Sequence, residues 1–218
     1  MNSWRLKFGD IVPGIPQFKY LHAAEQLFEF EKSIGIRSTW FFRRITKPHA
    51  KFRRKLLEYD CEIAFHADKT ANEEEFVKDL KYTMGEIRPL GFSKHGSARD
   101  KFEAEERGCE IYDPQRCLFL AKRYGLRYFS GNGVNPDQPH RIVDGVIYFP
   151  SAFWMYPGYM DKRYTLEWLM RNHKDKDIVV LIHPREYTDV FPKIKESIER
   201  LLCGLDDVTN FYNFIKDR

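Results

Sequence analysis

The chain has 218 residues, 43% of them hydrophobic and 31% charged, with 36 basic against 32 acidic side chains and a formal net charge of +4. That length supports a single domain over residues 1–218 with a core of its own, and the composition excludes the disordered, collagen-like and disulfide-framework classes. The two signs of charge are interspersed, so no nucleic-acid partner is expected. The basic stretch FFRRITKPHAKFRRKL, Phe41 to Leu56, reads as a solvated helix or loop face ahead of a phosphate patch. No apolar run approaches the ~20 residues of a membrane span, and the N-terminal MNSWRLKFGD lacks the apolar centre of a signal peptide. Four cysteines, Cys61, Cys109, Cys117 and Cys203, form no CxxC pair and read as reduced and mostly buried. A cytoplasmic protein is therefore expected. The aromatic load of 18 Phe, 12 Tyr and 4 Trp suits packing and also suits stacking on sugars.

Short β-prone runs alternate with helical patterns along the chain, the mark of βα units. WRLKFGD reads as a first strand. A helix follows, with its stripe at Tyr20, Ala24, Leu27 and Ile34 and its stop at Gly35. IRSTWFF is the next strand, Ala50 to Tyr59 a short helix, and CEIAFH another strand. Asn72 caps a helix whose first turn holds Glu73, Glu74 and Glu75, favourable at the positive end of the dipole. Its stripe is Phe76, Leu80, Met84 and Ile87, with Pro89 and Gly91 as terminators. FSKH reads as a strand, followed by a polar loop, a helix over Pro114 to Tyr124 and the strand LRYFS. RIVDGVIYFP is a hairpin or a bent strand around Asp144 and Gly145, and TLEWLMRNH a helix. DIVVLIH is the strongest strand signal, apolar enough to be buried on both faces of a parallel sheet. Helices starting near Pro192 and over DDVTNFYNFI close the chain.

Three of these strand-like runs, CEIAFH, FSKH and DIVVLIH, finish on a histidine, and WRLKFGD finishes on an aspartate. In a parallel α/β barrel the C-terminal strand ends converge on one face, which would direct His66, His95, His183 and Asp10 to a common site. Imidazoles with a carboxylate form the donor set of a catalytic divalent cation, zinc above all. A carboxylate there could take a proton from water and a histidine could protonate a leaving group, giving hydrolysis of an amide or ester. Against this stands the common role of a strand-end histidine as a hydrogen-bonded structural residue. His22, His49, His140 and His173 fall on helical or loop patterns and read as surface or packing residues. The aromatic string YFPSAFWMYPGY reads as core and loop packing, with sugar stacking by Trp154 or Tyr156 as the alternative.

The order GD, GIRSTWFF, CEIAFH, SKHGS and LIHP resembles the polysaccharide deacetylase family, carbohydrate esterase family four, and within it the divergent branch associated with surface polysaccharides. The likeness runs from about Lys7 to His183. It implies a deformed (β/α) barrel of about seven parallel strands with outer helices, and a zinc-dependent removal of acetyl groups from an N-acetylated sugar or glycan precursor. It assigns Asp10 as catalytic base and His183 as general acid. Val12 stands where the family has a second, metal-binding aspartate, and Thr70 where it has a second metal-binding histidine. The metal ligands expected here are accordingly His66, His95 and Asp68, with Asp10 a further candidate and Lys94 and Trp154 as substrate contacts. The family's orienting arginine has no clear counterpart, although Lys94 and Arg99 lie nearby. The replacements at Val12 and Thr70 also support a second reading, a non-catalytic sugar-binding or interaction protein of the same fold. A third, a phosphate-ester hydrolase using Lys94, Arg99 or Arg185 to hold the anion, has nothing in the sequence that singles it out.

Overall fold

Alternating strand and helix patterns make a mixed α/β structure, seen in a computed structural model that describes residues 15–156, 161–188, 191–205 and 208–216. The described residues fall into two compact units. One draws on the described residues within 15–38, Ile45–Glu62 and 182–216, the other on Thr39–Arg44 and the described residues within 63–181.

In the first unit, α1 (Ile15–Ser33) buries Ala23, Ala24, Leu27 and Phe28. Gly35 follows with φ +80, a conformation that costs glycine little. Against α1 lies α2 (Ala50–Glu58), whose Phe52 meets the Phe28 ring edge-on at 5.9 Å. His49 caps α2, its Nδ1 accepting from the Phe52 N–H. The C-terminal helices of this unit span Pro192–Gly204, with Ile198, Leu201 and Leu202 buried, and Phe211–Lys216, opened by Asn210. The second of these is shorter than DDVTNFYNFI, because Asn210 supplies the cap only there.

The second unit is built on a six-stranded sheet: β1 (Thr39–Phe42), β2 (Glu62–Ala67), β3 (Gly91–Lys94), β6 (Tyr128–Gly133), β8 (Val146–Ser151) and β7 (Arg141–Val143), in that spatial order. The pairs β2–β3, β3–β6 and β6–β8 are parallel, and only the edge strand β7 is shown antiparallel to its neighbour. RIVDGVIYFP is thus a hairpin, its turn made by Asp144 and Gly145 at φ 51 and 83. Two helices pack on this sheet: α3 (Glu73–Met84), capped by Asn72 as expected, and α5 (Pro114–Arg123). Helix α3 ends at Gly85, with φ 61, rather than running on to Ile87. On the sheet face beneath them, Phe65, Phe92 and Phe129 share one row across β2, β3 and β6, and the Phe76 ring of α3 sits 5.5 and 5.2 Å from those of Phe65 and Phe92. At the start of β3, Gly91 faces the Tyr128 ring so closely that a Cβ would lie 2.4 Å from it, so only glycine fits without moving an aromatic.

Two further readings of the sequence change. The stretch after FSKH is not simply a polar loop; it holds β4 (Ser97–Ala98), α4 (Lys101–Arg107) and β5 (Glu110–Ile111), β4 and β5 forming a small parallel pair. DIVVLIH yields only a two-residue strand, β10 (Val180–Leu181), half-buried and paired with β9 (Phe153–Trp154) outside the main sheet. An apolar run reports that burial is available to it, not which sheet supplies it. No helix among the described residues is long and apolar enough to cross a membrane. The thiols are free as expected, with Cys61 and Cys117 buried, Cys109 half-buried and Cys203 exposed.

Candidate functional site

Strands β2 and β3 run side by side with His66 opposite Ser93 and Ala67 opposite Lys94. Strand alternation therefore puts His66 and Ser93 on one face and Lys94 on the other. The Ser93 hydroxyl lies 2.6 Å from His66 Nδ1, and His66 Nε2 lies 3.1 Å from His95 Nδ1. The two imidazoles meet edge to face, centroids 5.0 Å apart. His95 follows the last residue of β3, and its N–H donates to the Ala67 carbonyl at 2.8 Å, extending the ladder by one residue. The pair thus sits at the C-terminal ends of adjacent parallel strands, where open α/β sheets present their ligand sites. Phe41 of β1 flanks His66, ring centroids 6.4 Å apart.

The Ser93 hydroxyl can accept from or donate to His66 Nδ1, according to the tautomer of that ring. With the proton on His66 Nδ1 and given to Ser93, the Nε2 lone pair faces inward, the tautomer a cation requires. The 3.1 Å between the two nitrogens is close to the edge of a zinc tetrahedron, about 3.3 Å for bonds of ~2.0–2.1 Å. These two imidazoles therefore fit a divalent cation. Asp68, expected as a third ligand, is instead paired with Arg43, the residue after β1, at 2.6 Å. Using it as a ligand would mean giving up that ion pair. Among the described residues no group of three or more His, Cys, Asp or Glu side chains gathers as a metal site. Asp10, the expected base, and Val12 lie outside the described residues.

On the opposite face the Lys94 side chain is 1% exposed. Its Nζ donates to the carbonyls of His95 at 2.7 Å, Asp68 at 2.9 Å and Gly96 at 3.2 Å, and the Glu110 carboxylate lies 3.5 Å away. Burial lowers the pKa of this ammonium from the ordinary lysine value, and the Glu110 charge opposes the shift. Glu110 in turn accepts from the Thr70 N–H at 2.7 Å, the Thr70 hydroxyl at 3.0 Å and the Ala71 N–H at 3.4 Å. Thr70 is itself buried, and next to it burial pushes the Cys117 thiol up to about 12. Lys94, expected to touch substrate, thus has its donors turned inward onto main-chain carbonyls. Trp154 is half-buried, with its indole N–H donating to the Gly133 carbonyl at the end of β6.

His183 follows β10 and belongs to the first unit. Its Nδ1 lies 2.9 Å from the Glu186 carboxylate, which also accepts from the His183 N–H at 3.1 Å, across a 3-10 turn over Pro184–Glu186. Glu186 is 3% exposed, so this is a carboxylate withdrawn from solvent and committed to one imidazole. Such a partner orients the ring by accepting from its Nδ1–H.

Sequence reasoning singles out His66, His95 and His183 and does not name their neighbours Ser93, Arg43, Glu110 and Glu186. Ser93 could have been found from the pairing of EIAFH with FSK, which aligns it with His66. Glu186 stands three residues after His183, a spacing at which a turn brings side chains together. Arg43 and Glu110 carry no sequence signal, since their partners are 25 and 40 residues away. Compared with known protein families, curated proteins and solved structures, the chain matches none.

Proposed function

We propose that this protein is a metal-dependent hydrolase of the polysaccharide deacetylase type, removing an acetyl group from an N-acetylated sugar or glycan precursor. The observation that carries the reading is the His66–His95 pair, two imidazole nitrogens 3.1 Å apart at the ends of neighbouring parallel strands. With it goes the deformed barrel of about seven strands, for which a mostly parallel six-stranded sheet is support of a general kind. A cytoplasmic location belongs to the same proposal.

His66 and His95 would hold the cation, zinc being the metal that best suits nitrogen donors. When bound, it would supply Lewis acidity at the acetyl carbonyl and make water a stronger acid. The chain's own residues would do the rest. Ser93 fixes the His66 tautomer by holding Nδ1. Asp10, by the resemblance, is the base that takes the proton from water. By the resemblance, His183 is the acid that gives its proton to the departing amine; the buried Glu186 carboxylate orients that imidazole through Nδ1.

The test pairs metal content with product. Purified protein is expected to retain about one zinc per chain by elemental analysis, to lose it in His66→Ala, and to release acetate from a panel of N-acetyl sugars. A wild-type protein that takes up no divalent metal, even when offered an excess, ends this reading. Sugar binding without acetate release would favour the non-catalytic reading, for which Asp68 supplies the specific observation: it is held by Arg43 rather than offered as a ligand.

A further inference from the structure

The Lys94 ammonium is the most deeply buried charge among the described residues, and the chemistry proposed above does not use it. Its three carbonyl partners are not scattered. Asp68 is the first residue after β2, and His95 and Gly96 are the first two after β3, so one cation ties the exits of both strands that carry the imidazoles. His95 is fixed at both its peptide groups, its N–H by the Ala67 carbonyl and its C=O by Lys94. With those two held, the direction of its Cα–Cβ bond toward His66 is set. Glu110 does the same for the other exit, gathering the N–H groups of Thr70 and Ala71 while it balances the Lys94 charge. A third strand joins through Asn132, whose amide donates to the Lys94 carbonyl at 2.7 Å.

We propose that Lys94, Glu110 and Thr70 form a positioning network, on the sheet face opposite the imidazoles, that holds His66 and His95 in their facing geometry. The idea rests on the reading of that pair as a cation site, but it concerns the pair before any cation arrives. A buried ion pair is a poor device for stability alone, since apolar side chains of like volume serve as well or better. What it supplies is direction: a small ammonium can order three carbonyls around one point, and a methyl group cannot.

The experiment uses full-length metal-free protein labelled with 15N at histidine. Long-range proton–nitrogen spectra of the imidazoles, taken at one pH, report which ring nitrogen carries the proton. In the wild type, His66 and His95 should each show one dominant tautomer. In Lys94→Met and Glu110→Gln both should collapse to the averaged pattern of a mobile imidazole. His49, capping α2 from outside the network, should keep its signal and serves as the internal control for folding. Thr70→Val and Glu110→Gln carry the test if Lys94→Met fails to fold. Zinc affinity by calorimetry is then expected to fall at least tenfold in the same variants, the scale of loss when a ligand's supporting partner is removed. Folded variants whose His66 and His95 signals match the wild type overturn the network, as do variants that bind zinc as tightly as the wild type. A wild type that binds no zinc but whose imidazole signals depend on Glu110 and Lys94 upholds the network and removes only the metal reading.

Discussion

His66 and His183 both close an apolar, strand-like run, FH in one case and LIH in the other, yet their surroundings differ in kind. His66 leaves a strand in the interior of a six-stranded sheet and has a hydroxyl on one ring nitrogen and a second imidazole on the other. His183 leaves a two-residue strand in a separate pair and has a buried carboxylate on Nδ1. The first arrangement brings two ring nitrogens to 3.1 Å, the spacing of two ligands on one cation; the second sets a buried carboxylate against a ring nitrogen and orients the imidazole. Strand-end position alone does not decide what an imidazole does. The atom facing its other nitrogen does.

The largest effects should separate the two histidines. His66→Ala is expected to abolish metal uptake and acetate release together, whereas His183→Ala should retain the metal and lose roughly 10²–10⁴-fold in turnover, the usual worth of a general acid. Elemental analysis beside an acetate assay reads both, and metal loss in His183→Ala would collapse the distinction. Next comes the support beneath His66. Phe76→Ala removes the ring that packs on Phe65 and Phe92 and should cost about 3–5 kcal/mol in denaturant unfolding. A smaller loss would mean that β2 and β3 do not depend on α3. Ser93→Ala should weaken zinc binding about 10–100-fold with little change in melting temperature, because it frees the His66 tautomer and removes almost no volume. Glu186→Gln should leave zinc affinity alone while lowering turnover, which a titration and a rate measured on one preparation would show.

The smallest effect concerns Cys117, under the loop that follows His66. Its thiol is held protonated by burial, so native protein should resist alkylation there at pH 8 while the exposed Cys203 reacts. The sign of the linkage follows. A thiol whose folded pKa is raised from 9.0 to about 12 contributes stability that is complete below 9 and is lost as pH rises toward 12. Alkaline unfolding monitored by circular dichroism should therefore expose Cys117 to the reagent. Labelling of Cys117 at neutral pH as fast as that of Cys203 would show that the loop over it opens freely.

Much of the second unit could be read along the chain because its signals are local. The Asn72 cap and triple-glutamate first turn give α3, Pro114 opens α5, and Asp144-Gly145 makes the hairpin. DIVVLIH differs from its expectation for the opposite reason: an apolar run specifies burial, and which strand it pairs with is settled elsewhere in the sequence. The candidate site divides in the same way. His66 and His95 stand out because each ends a β-prone run; Asp68 stands equally close in sequence, but Arg43 holds it in an ion pair. Thr70, which the family resemblance marks as a missing ligand, is buried and holds Glu110.

The sequence by itself determined the alternation of strands and helices, the helix caps and which histidines stand at strand ends, because these depend on residues within a turn or two of one another. Only the tertiary structure decided that His66 faces His95, that Asp68 answers to Arg43 and that Lys94 points inward to Glu110. Those choices depend on register between strands and on contacts between residues up to 40 positions apart. Period-two alternation fixes which side chains share a face. Strand pairing fixes which of them meet.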